Sequence, residues 1–89
     1  MAARRVCLGV ITGAHGVRGE VKVRPYTAEP DALDAYGEVE NAAGDRRFAL
    51  TVERVGARGV IVRIAGVDDR DAALALRGTE LWLDRHRLP

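Results

Sequence analysis

Residues 13–24 read Gly13-Ala14-His15-Gly16-Val17-Arg18-Gly19-Glu20-Val21-Lys22-Val23-Arg24, and this stretch decides how the chain folds. Glycine recurs at every third position, Gly13, Gly16 and Gly19. Strict alternation follows, with Val21 and Val23 set against Glu20, Lys22 and Arg24. Glycine suits backbone at positive φ or the close approach of another group. The three therefore specify a shaped structural turn that leads into a strand with one solvated face. Gly16, Gly19 or both are expected at positive φ. His15 and Arg18 fall within this turn, where packing gives no reason for an imidazole or a guanidinium, and loops often carry function. Arg18 has two open readings, contact with a partner or an ion pair with Glu20.

Working outward, residues 5–11 contain Val6, Cys7, Leu8, Val10 and Ile11. Both faces are largely apolar, as in a strand buried in a barrel. Residues 20–26 form the second strand, which Pro25 ends or places at an edge. Pro30 followed by Asp31, Ala32, Leu33, Asp34 and Ala35 suggests one short helical turn, capped by Gly37. Residues 38–41 are a weak strand and 42–45 a turn. Phe48, Leu50 and Val52 alternate with polar or small residues, 56–59 make a hairpin connection, and Val60, Val62 and Ile64 alternate again. The spacing predicts a helix over 69–77, capped by Asp68 or Asp69 and stopped by Gly78. Its apolar face holds Ala72, Leu76 and either Ala73 or Leu74. A last strand over 80–84 places Leu81 and Leu83 on one side and a half-buried Trp82 on the other. About six strands and one short helix predict a mostly all-β fold, a small antiparallel six-stranded β-barrel, because closing the sheet removes exposed edges.

The chain has 89 residues and a net charge of +1, from fourteen basic and thirteen acidic side chains. That balance excludes a protein that grips nucleic acid by bulk charge alone. Lys22 is the single lysine, and the other basic residues are Arg, as a GC-rich genome would encode. Cys7 stands alone, so it makes no internal disulfide and reads as a small buried hydrophobe pointing into the barrel. No stretch approaches the ~20 apolar residues of a membrane span, and the start lacks a signal-peptide core. The expectation is a cytoplasmic protein.

Chemical motifs are few. The glycine spacing is GxxGxxG, and a strand follows it, so neither a dinucleotide fingerprint nor a Walker loop is present. A Cys7–His15 nucleophile pair lacks an orienting third group. Asp68, Asp69 and Asp71 are explained by helix capping rather than by metal binding. The Arg4-Arg5 and Arg46-Arg47 pairs read as solvated faces. The residues thus predict no enzyme, no cofactor and no metal.

The run from Gly9 to Val23, with its His15-Gly16-Val17-Arg18-Gly19-Glu20 centre, resembles the opening of the ribosome maturation factor RimM family. A second stretch fits the same family: Gly66-Val67-Asp68-Asp69-Arg70-Asp71-Ala72-Ala73, then Ala75-Leu76-Arg77-Gly78. The resemblance implies an N-terminal barrel like the second domain of translation elongation factors, over residues 1–84. Residues 85–89 would then begin a linker to a C-terminal PRC-type barrel absent from this sequence. It also implies a non-catalytic, monomeric factor for late maturation of the small ribosomal subunit and for processing of its RNA. Its partners would be the subunit head, through the nineteenth small-subunit protein, nearby ribosomal RNA, or both. His15, Arg18 and Lys22 are the partner-binding candidates. The alternative is a small barrel that binds single-stranded RNA directly. That class stacks bases on exposed aromatics in a basic groove, whereas this chain has only Tyr26, Tyr36, Phe48 and Trp82.

Overall fold

The computed structural model describes residues 5–26, 38–57 and 59–84. The helical turn expected at 30–35 and the linker expected at 85–89 lie outside the described residues. The elements run β1 (Arg5–His15), β2 (Glu20–Pro25), β3 (Val39–Glu40), β4 (Arg47–Phe48), β5 (Leu50–Gly56), β6 (Gly59–Ile64), α1 (Arg70–Ala75) and β7 (Glu80–Asp84).

Hydrogen bonding orders the strands β4-β3-β7-β1-β2-β6-β5, and the pairs are antiparallel. Only Ala49 separates β4 from β5. One nearly continuous run therefore pairs with β3 at its start and with β6 along its length, which closes the ring. The antiparallel barrel expected from the sequence is present, but with seven strands rather than six, because the run expected as one strand from Phe48 is interrupted at Ala49.

The period-two pattern sorts the side chains as expected. Val21 and Val23 of β2, Val60, Val62 and Ile64 of β6, and Leu81 and Leu83 of β7 are buried, joined by Leu8, Ile11, Val39, Phe48 and Leu50. Most of these are β-branched, the type that fills a pleated interior in one rotamer. Among the described residues no polar or charged side chain is buried, so the core makes no polar demand.

β1 is longer than its apolar run. It reaches His15 by bending at two register shifts, one between Cys7 and Gly9 against β7 and one between Ile11 and Gly13 against β2. Such bulges bend and twist a strand so that it can wrap around a small barrel. Gly13 is consequently a strand residue at a bulge, not part of the turn as expected.

α1 plugs one end of the barrel with Ala73 and Leu76, while Leu74 points outward. Asp69 caps it, its carboxylate accepting from the Ala72 N–H at 2.7 Å. The helix is shorter than the expected 69–77. Past Ala75 the N–H groups of Leu76 and Arg77 reach back only three residues, to Ala73 and Leu74, which tightens the last turn. Gly78 then turns at φ +86 and gives its N–H to the Ile11 carbonyl at 2.7 Å. The chain has left the helix to rejoin β1.

Candidate partner-binding site

The β1–β2 turn occupies only residues 16–19. Gly16 and Gly19 both take positive φ, +67 and +88, as expected, but they differ in surroundings. A Cβ on Gly16 would meet open space, whereas one on Gly19 would lie 2.6 Å from the Val67 carbonyl oxygen and 2.8 Å from the Asp69 nitrogen. Arg70 donates to the Gly16 carbonyl at 3.1 Å. The two conspicuous stretches of the sequence are therefore one unit, the entry to α1 backing the turn. The tip presents Val17, 78% exposed, and Arg18, also exposed. Arg18 makes no ion pair among the described residues, so the pairing with Glu20 does not form.

His15 is not in the loop. It ends β1 opposite Glu20 and is half-buried. Its ring borders a groove of about 310 Å³ between β2 and the β5–β6 hairpin. Lys22 and Arg54 stand at this groove, Ile61 contributes apolar surface, and the hairpin end closes it through Gly56, Ala57 and Gly59. Register explains the convergence, because Lys22 faces Ile61 across β2–β6 and Ile61 faces Arg54 across β6–β5. Opposed residues share a face of the sheet. Of the three partner-binding candidates, the structure brings His15 and Lys22 together and leaves Arg18 outside the groove, on the neighbouring tip.

Arg54 was not singled out from the sequence. The alternation there runs Phe48, Leu50, Val52 and stops, because a register shift between Val52 and Arg54 resets the faces. Tyr26 was also missed as a surface group. Its N–H continues the ladder to the Leu8 carbonyl at 2.8 Å, and it is 57% exposed, in step with Lys22 and Arg24 on the outer row of β2.

Cys7 is half-buried rather than a core residue. It opposes Trp82 across β1–β7, while its neighbour Leu8 takes the interior place. Burial, and more weakly the Glu80 charge, push its thiol above the ordinary range. Cys7 and His15 lie eight residues apart on one strand, roughly 25 Å, too far for a nucleophile–base pair. Arg5, expected on a solvated face, is instead a clamp. It donates to the carbonyls of Asn41 and Ala42 at 3.2 and 2.6 Å, stands 3.9 Å from Glu40, and lies over the Trp82 ring at 5.3 Å.

The family model for the RimM N-terminal domain matches residues 6–88. The chain belongs to the RimM family. Ribosome maturation factors RimM from Parvibaculum lavamentivorans and Paramagnetospirillum magneticum are 55% and 48% identical to it over 97% and 96% of its length. The chain spans about half of each relative, 46% and 48%. Two solved structures share the fold. A RimM from Pseudomonas aeruginosa is 32% identical with a TM-score of 0.86, covering 97% of this chain and 54% of its own. The N-terminal domain of RimM from Thermus thermophilus, solved in solution, is 30% identical with a TM-score of 0.76, covering 97% of this chain and 95% of its own. No helix among the described residues is long and apolar enough to cross a membrane.

Proposed function

We propose that this RimM-family domain is a docking module of a ribosome assembly factor. It binds the head of the free small ribosomal subunit, through a head protein (the nineteenth in the standard count), adjacent ribosomal RNA, or both, and assists late maturation and RNA processing. The role is one of binding, not catalysis. Relatives of about twice the length are named ribosome maturation factors, and the name of the Pseudomonas protein refers to 16S ribosomal RNA processing. The observation that carries the reading is the exposed Val17–Arg18 tip, whose backbone is fixed by Gly19 and Arg70 while its side chains are left without ion pairs among the described residues. A preorganised tip binds with little ordering cost. Residues 85–89 would lead on to the second domain of the longer factor.

Co-sedimentation tests this. The parent chain should pellet with free small subunits and not with mature ribosomes. Arg18→Ala should weaken pelleting about tenfold or more with an unchanged melting temperature, since an interface Arg can carry about 2 kcal/mol, and Arg18→Glu should be worse. Variants that pellet like the parent would make the tip a purely structural turn.

A further inference from the structure

The outer face of β2, β6 and β5 collects positive charge that the near-neutral total conceals. Lys22, Arg24 and Arg54 are exposed and take part in no ion pair among the described residues. Among the described residues, the acids on this face are Glu53, held by Arg63 at 3.0 Å, and Glu20, at the turn end beside His15. Along β2 the outward row runs Lys22, Arg24, Tyr26, so two free cations lead from the groove to an exposed aromatic ring. The groove itself is floored by Ile61 and smoothed by the hairpin glycines.

We propose that this face holds a single-stranded RNA segment, running along β2. Lys22, Arg24 and Arg54 contact phosphates, a nucleoside rests on the Ile61 floor, and Tyr26 stacks one base. A cationic track with a stacking ring is the arrangement that binds single strands without reading sequence. An acidic protein segment would match the cations but would leave the Tyr26 face without its complement. The inference deepens the docking reading by naming RNA as the contact of this face.

The chain itself is the test material, since its Thermus counterpart was solved as an isolated domain. A short fluorescein-labelled RNA of mixed sequence is titrated by anisotropy at several salt concentrations. Three phosphate contacts give a log–log salt slope of about −2, which the double variant Lys22→Gln/Arg54→Gln should reduce to about −0.7 while weakening binding about tenfold or more. The charge-matched Arg47→Gln/Arg77→Gln, elsewhere on the surface, should bind like the parent. Tyr26→Ala should cost about fivefold or more and Tyr26→Phe should restore it. Equal loss in both double variants, or no loss in either, would overturn the site. Displacement of the RNA by polyglutamate at equal charge would assign the face to an acidic protein segment instead. Sedimentation separates this from the docking reading. If the parent and Lys22→Gln/Arg54→Gln pellet equally with small subunits, the groove proposal falls and docking stands. If the parent binds RNA through the groove but never pellets with subunits, docking falls and the groove stands.

Discussion

The two ends of β1 are built on opposite plans. At its first residue, Arg5 is saturated: two carbonyls, a carboxylate and an indole face surround its guanidinium. At its last residue, His15 opens onto a groove where Lys22 and Arg54 have no acidic partner among the described residues. The first end is held together by side chains. The second is held by the close approach of the Gly19 backbone to the Val67 carbonyl and by the Arg70 guanidinium, which donates to the Gly16 carbonyl. At this end the turn backbone is held by its neighbours while Val17 and Arg18 stay exposed.

The strongest way to break this comparison is at Gly19. Gly19→Val adds a β-branched side chain at φ +88 and drives its Cβ into backbone that cannot step aside. Strain and overpacking together should cost about 3 kcal/mol or more, a large fraction of the ~5–10 kcal/mol that holds a domain of this size. Gly16→Val meets strain alone, because its Cβ points into open space, and should cost about 1–2 kcal/mol. Urea melts of the two variants measure the difference. Equal midpoints would mean that α1 does not brace the turn.

A smaller effect tests the cations. Arg5→Ala should destabilise by about 1–2 kcal/mol, combining a cation–π contact with charge-assisted bonds at a half-buried site. Lys22→Ala and Arg54→Ala should each stay within about 0.5 kcal/mol of the parent, as exposed residues do. If Lys22→Ala or Arg54→Ala proves as costly as Arg5→Ala, the groove cations are structural and the contrast between the two ends disappears.

The barrel was legible in the sequence because its information is local. Val21, Val23, Val60, Val62 and Ile64 announce their faces by alternation, Asp69 announces the helix start, and the glycine spacing announces the turn. The site was legible only in part, because its assembly depends on register. His15 looked like a loop residue since the bulge at Ile11–Gly13, which carries β1 past its apolar run, leaves no local signature. Arg54 was hidden by a second bulge, at Val52–Arg54. Arg5 looked solvated because its partners, Glu40, Asn41 and Trp82, are more than thirty residues away. Bulges and long-range pairings are tertiary facts, set by how a strand must bend to close a ring.

The smallest expected effect lies at the Arg5 end, in Cys7. Its thiol sits half-buried opposite Trp82, with the Sγ 3.5 Å from the Gly9 carbonyl. Burial comes first and Glu80 second in pushing its pKa upward. In the unfolded chain the thiol ionises near its ordinary value of about 8.5, while the folded chain holds the proton to higher pH. The unfolded state therefore binds fewer protons above that value, and stability falls as pH rises. The contribution is fully present below about pH 8.5 and fades through the folded-state pKa. Cys7→Ala should remove this fall, so that the parent loses slightly more stability than the variant between about pH 8 and 10. Iodoacetamide should likewise alkylate Cys7 more slowly in the folded chain than in urea, since the thiolate is the reactive form. Parallel pH profiles, together with equal alkylation rates, would show Cys7 to be as open to solvent as the groove at the other end of its strand.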